Sequence, residues 1–171
     1  MSNTKNIFLS IVFLFSISLQ ADNSYQISID FNQSPLAQQE NAIFETAFKG
    51  EYGVPWIKTD ANYNNGDSVC VRAFIIDSIT STRELAGFAI VCRETNNILY
   101  VQYICVDEHH QKKGVGRRIM QELNNHFKPN KIELCALVPV VAFYQRLGFS
   151  FDPEGTVDMV LDCKKNDLQF A

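Results

Sequence analysis

The sequence is short of several things, and each shortage excludes something. Basic residues are not in excess. The 15 Lys and Arg stand against 19 Asp and Glu, a formal charge of −4, which argues against a chain built as a whole to bind nucleic acid, a local basic patch aside. No two of the five cysteines form a CxxC pair and their number is odd, so no zinc or other metal site is expected. There is no internal repeat and no low-complexity stretch. No apolar run reaches the roughly 20 residues of a membrane-spanning helix. What remains is a chain of 171 residues, 46% hydrophobic and 20% charged. That is the length and composition of one globular domain with a sizeable core.

Charge is also scarce at the start, where Lys5 is the only ionisable side chain before Asp22. Ile7 to Leu19 form an apolar run with a few serines, and Ala21 is a small residue at a cleavage position. This is the layout of a secretory signal peptide, although Leu19 is large for the position three residues before the cut. A buried core helix or strand is the other reading. The expected organisation is a signal-peptide-like segment at 1–21, a domain at 22–165 and a polar tail at 166–171. The protein is then periplasmic or secreted if the segment is cleaved, and cytoplasmic otherwise. Fractionation that finds only full-length chain in the cytosol would rule export out.

Along the domain, Tyr25, Ile27, Ile29 and Phe31 alternate with polar residues as in a half-buried strand. Ser34-Pro35 suits a helix start, and Leu36, Ile43, Phe44, Ala47 and Phe48 recur at helical spacing up to Gly50. Residues 51–67 read as a short helix or loop and a turn. Ser68–Asp77, Leu85–Arg93 and Asn97–Val106 follow as three strands joined by short polar links, an antiparallel meander. The third is apolar on nearly both faces, which marks a central strand. Gly114–Phe127 reads as a helix, Lys131–Val138 as a strand, and the segment from Pro139 as a helix ending at Gly148. A hairpin of Phe149–Asp152 and Thr156–Cys163 closes the series. The fold class is α/β, an α+β mixed sheet with helices on both faces. Cys70, Cys92, Cys105, Cys135 and Cys163 all sit in strand-like runs and read as small buried hydrophobes, with a disulfide open if the chain is exported.

The stretch from Val106 to Arg118 carries the chemistry. A central strand ends, a glycine-punctuated loop follows, and a helix begins near Gly114. Amides at a helix start lack intrahelical acceptors and, with the helix dipole, attract anions. Lys112, Lys113, Arg117 and Arg118 add positive charge where it disfavours the helix itself. An external anion, such as a phosphate, explains that conflict, and a solvated basic turn is the bland alternative.

Gln111-Lys112-Lys113-Gly114-Val115-Gly116 resembles the Q/R-x-x-G-x-G/A signature of the GNAT acetyltransferases, and Ala142-Phe143-Tyr144 to Gly148-Phe149 resembles their A-x-Y-x-x-x-G-F segment. The likeness spans about residues 25–163. It implies the GNAT acyl-CoA N-acyltransferase fold, a mostly antiparallel central sheet whose two central strands splay to admit the pantetheine arm. It implies that Val106, Gln111, Lys112, Lys113, Gly114, Val115, Gly116 and Arg117 bind acetyl-CoA, the acyl donor. It also implies that Tyr144 is the catalytic acid for the leaving thiolate, where the residues alone allow a core aromatic. Two positions depart from the pattern. The Asn97–Val106 strand has no acid to serve as base, with Tyr100 and Gln102 at inward positions and Asp107 and Glu108 just beyond. Leu137 stands where many relatives have a cofactor-contacting asparagine. His109 and His110 read as solvated loop residues. The function implied is N-acetyl transfer to a primary amine of a small molecule or protein in a ternary complex. The alternative is a GNAT-fold module, weakly active or inactive, that binds an acyl-CoA or a partner. No nucleic acid partner or stable membrane span is expected, and the oligomeric state is open.

Overall fold

The computed structural model describes residues 25–32, 38–47, 68–153, 155 and 158–164. The signal-like segment, the Ser34-Pro35 helix start, residues 51–67 and the tail from 165 lie outside the described residues. The chain orders its elements as β1 (Tyr25–Asn32), α1 (Gln38–Ala47), β2 (Ser68–Asp77), β3 (Arg83–Glu94), β4 (Ile98–Val106), α2 (Val115–Phe127), β5 (Lys131–Leu134), α3 (Val141–Arg146), β6 (Ser150–Phe151) and β7 (Met159–Asp162). The strands form one sheet in the order β1-β2-β3-β4-β5-β7-β6. Among the described strands only β4 and β5 run parallel; the other neighbouring pairs are antiparallel.

Two apolar layers sandwich the sheet. In α2, Val115, Ile119, Met120, Leu123 and Phe127 make a buried stripe, each worth about 1.5–3 kcal/mol when fully buried. This stripe joins Val71, Ala73, Ala89, Leu99 and Val101 of the sheet, with Tyr25, Ile27, Ile29 and Phe31 of β1 packed against them. On the other face Ile43 and Phe44 of α1 meet Cys70, Phe88, Ile90 and Cys105. An ion pair from Arg72 to the buried Glu40 pins α1 to β2. Asp77 closes the β2–β3 turn by accepting the amides of Ile79 at 2.9 Å and Thr80 at 2.6 Å, and these bonds hold its carboxyl below the usual range, the Thr80 amide foremost.

The register contains the feature that shapes the site. Ile90 pairs with Tyr103 but Val91 pairs with Val101, so Gln102 is an extra residue in β4. A bulge of this kind reverses the inside–outside alternation beyond it. Leu99 and Val101 therefore face the α2 layer, whereas Cys105 joins the α1 layer and Tyr103 packs against it. Pairing with β5 stops at Val101 and Leu134, leaving Gln102–Val106 without a β5 partner. Beyond β5 the Ala136 amide donates to Asp158 at 2.9 Å, next to β7. The strand expected over 131–138 is thus only half as long. Leu137 leads into a 3-10 turn at Val138–Val140, and the helix begins at Val141.

The cysteines divide. Cys70 and Cys105 are buried, Cys92 and Cys163 half-buried, and Cys135, expected inside, is exposed. Burial pushes the Cys70 thiol up to about 11 and Cys105 up to about 12, from 9.0. An acid whose folded pKa is raised contributes fully below its unfolded pKa and loses that contribution as pH climbs toward the folded value. The melting temperature under reducing conditions should accordingly hold up to about pH 9 and fall from there toward pH 12. Cys105→Ala should flatten part of that fall, and an unchanged slope in a calorimetric pH series would count against this origin.

Candidate functional site

The turn after β4 is tied down before any ligand is considered. The Asp107 amide donates to the Ala86 carbonyl of β3 at 2.9 Å, and the Asp107 carboxylate accepts the His109 amide at 2.8 Å, capping the 3-10 turn Glu108–His110. Gln111 Nε2 reaches back to the Val106 carbonyl at 3.4 Å. Lys112 and Gly114 then both take positive φ, 62° and 84°. For lysine that region is uncommon, for glycine it is not. The first intrahelical bond of α2 runs from the Arg118 amide to the Gly114 carbonyl at 2.9 Å, so the amides of Val115, Gly116 and Arg117 have no acceptor within the helix. Left-handed turns feeding a helix N-terminus converge amides into an anion cradle.

Gly116 is a point of close packing. A Cβ there would lie 3.3 Å from the Phe143 ring and 3.6 Å from Val106 Cγ2. The start of α2, the end of β4 and α3 therefore meet at one place, beside the opened edge of Gln102–Val106. Tyr144 follows Phe143 and is 5% exposed, its ring set against Phe143 and Phe149 at centroid distances of 5.1 and 5.6 Å. Burial, reinforced by the Cys105 thiol, pushes its hydroxyl up to about 12. At neutral pH it keeps its proton. The helix that carries it ends in a tight turn, with the Leu147 and Phe149 amides both on the Tyr144 carbonyl at 2.9 and 3.1 Å and Gly148 at φ 93°.

The expected basic cluster is divided. Lys112 is exposed and Arg117 half-buried. Arg118 is turned along the helix to Glu122 at 2.8 Å. The Lys113 ammonium lies 3.4 Å from His110 Nδ1. His110 itself corrects the reading as a solvated residue, being 6% exposed, while His109 is exposed as expected. Neither acid after β4 is aimed as a base, since Asp107 is spent on its cap and Glu108 is exposed, 3.8 Å from His109. Sequence reasoning missed two features. One is a pair of thiol contacts beside the bulge, Tyr100 to Cys135 at 3.6 Å and Gln102 to Cys92 at 3.7 Å, with burial the main cause of a raised Tyr100 hydroxyl. The other is Gly87, opposite Val106 in β3; a glycine inside an apolar strand was the available signal.

Residues 71–151 match the sequence model of the acetyltransferase (GNAT) domain family. No curated protein matches the chain. Among solved structures, a Bacillus subtilis acetyltransferase in complex with CoA superposes with a TM-score of 0.59 at 16% identity, over 80% of this chain and 99% of that one. The PaiA N-acetyltransferase of Thermoplasma acidophilum, in complex with coenzyme A, gives 0.52 at 16%, over 78% and 96%. The ribosomal-protein-S18-alanine N-acetyltransferase of Escherichia coli gives 0.53 at 19%, over 80% and 93%. The sheet order, the parallel β4–β5 pair and these superpositions together make the fold that of the GNAT acyltransferases.

Proposed function

We propose that the domain transfers an acetyl group from acetyl-CoA to a primary amine, of a small molecule or a protein, by direct attack in a ternary complex. The observation that carries this reading is a conjunction: the β4 segment that parts from β5 after Val101 runs straight into an amide cradle and ends beside a protonated Tyr144. The family match over 71–151 supports it.

In this reading the β4 backbone beyond its pairing with β5 receives the pantetheine amides as a further strand would. Gln111, Lys112, Lys113, Gly114, Val115, Gly116 and Arg117 hold the diphosphate, chiefly through main-chain amides. The neutral amine attacks the thioester carbonyl, a backbone amide near Val106 steadies the oxyanion, and the C–S bond breaks. The amine gives up its proton to water, since β4 carries no carboxylate to take it. Tyr144 donates a hydrogen bond to the departing sulfur. A thiol titrates at roughly 8.5, well below this tyrosine, so the hydrogen bond stabilises the thiolate more than outright proton transfer does.

Release of free thiol from acetyl-CoA, followed across a panel of amines with the full chain, tests the proposal. Thiol release should require both substrates. Tyr144→Phe should lower kcat by about 10²-fold with KM for acetyl-CoA within about twofold, because the ring still fills its place in the core. A folded protein that binds acetyl-CoA but turns over no amine would point to the binding-module reading, which the absence of a β4 carboxylate favours.

A further inference from the structure

His110 has no part in the scheme above, yet it is buried, directly before the Gln111–Gly116 turn. A lysine ammonium has only protons to give, so Nδ1, 3.4 Å from Lys113 Nζ, must accept. The other ring nitrogen is Nε2. That atom is fully buried and has no hydrogen-bond partner. A Glu84 carboxylate oxygen lies 3.3 Å away, close enough to attract it but not aligned for a bond. A buried polar atom left in this state is unfavourable, and packing alone would avoid it with a leucine. The second half of the observation is at Lys113, whose carbonyl accepts the Tyr25 hydroxyl of β1 at 3.2 Å. The residue directly before Gly114 is thus held at both ends, by β1 through its main chain and by His110 through its side chain.

From this we infer that His110 is a positioning residue for the acyl donor, a reading that rests on the acetyl-CoA assignment above. By latching Lys113 it sets the Gln111–Gly114 turn before the diphosphate arrives, so that ordering the amides costs no binding energy. The latch engages the Lys113 ammonium, whereas Lys112 meets no partner among the described residues. Among the described residues, Glu84 on β3 and Lys113 on the turn are the charged groups that meet the ring.

The test uses His110→Leu, which fills the space without an acceptor, His110→Asn, whose Oδ1 can replace Nδ1, and Lys113→Met. His110→Leu should raise KM for acetyl-CoA about tenfold, equivalent to about 1.4 kcal/mol, with kcat within about twofold. His110→Asn should restore KM to within about threefold of wild type. In the ligand-free protein, both His110→Leu and Lys113→Met should speed amide hydrogen exchange across residues 111–116. The Lys113→Met readout does not depend on how the buried Leu variant folds. Exchange unchanged in Lys113→Met, or His110→Leu and His110→Asn with equal KM, would overturn the inference. A folded wild-type chain with no saturable acetyl-CoA binding would instead overturn the acetyl-CoA reading, and the inference with it.

Discussion

Titration calorimetry of the full chain with acetyl-CoA should give saturable binding that disappears in the Gly114→Glu/Gly116→Glu variant. Each substitution acts through a different physical fact. Gly114 has φ +84° and open space around its Cβ position, so a glutamate there is strained in backbone but not blocked, and its carboxylate is free to stand in the cradle. Gly116 lies 3.3 Å from Phe143 and 3.6 Å from Val106 by the same measure, so a side chain there must push α3 or the end of β4 aside. Both changes also place negative charge where the helix dipole and the amides at the start of α2 attract it. The new carboxylates satisfy those amides themselves and repel the diphosphate. Affinity should fall by at least about 10²-fold, close to 3 kcal/mol. A double variant that still binds like wild type would move the cofactor site away from this turn and remove the basis for acetyl transfer.

Gly87→Val should be the most destabilising single change in the sheet. Gly87 pairs with Val106 across β3 and β4, and a Cβ there would come within 2.6 Å of the Cys105 carbonyl oxygen and 3.2 Å of Val106 Cα. Those are main-chain atoms, which cannot swing away as the tip of a side chain would. The Asp107 amide, bonded to the Ala86 carbonyl at 2.9 Å, holds β4 close at this point. Overpacking of this kind costs about 1–3 kcal/mol or more. In a chain of this size a loss of 3 kcal/mol lowers the melting temperature by about 6–12 °C. Acetyl-CoA affinity should fall as well, since the strand end that precedes the cradle must shift. Scanning calorimetry of Gly87→Ala and Gly87→Val is the measurement. Wild-type melting in both would mean that β4 is held less tightly here than the register indicates.

Much of the fold was legible from local pattern. The alternation from Tyr25 to Phe31, the Ser68–Asp77 strand, the apolar third strand and the Val115–Phe127 stripe all reappear within a residue or so of their expected limits. Each element carries its own periodicity, and turn chemistry such as Pro129 after the left-handed Lys128 marks where α2 must stop. The strand expected to reach Val138 ends at Leu134 instead. Ala136 to Val138 are as apolar as a strand requires, but the Ala136 amide bonds to Asp158, a residue of the last hairpin that no local pattern connects to it. The burial of His110 and the exposure of Cys135 depart from local pattern for the same reason, since Glu84 of β3 meets the histidine ring and an exposed cysteine needs only a missing neighbour.

By itself, then, the sequence determined the elements, their order and the glycine-turned loop at Gln111–Gly116, because hydrophobic period and backbone freedom are properties of adjacent residues. Tertiary structure decided which side of the sheet Tyr103 and Cys105 face, where β4 parts from β5, that Gly87 must lack a side chain and that Lys113 turns toward His110. Each of these depends on the register between strands, where one extra residue at Gln102 inverts every face that follows, and register is a contact between segments that the order of residues in either one does not contain.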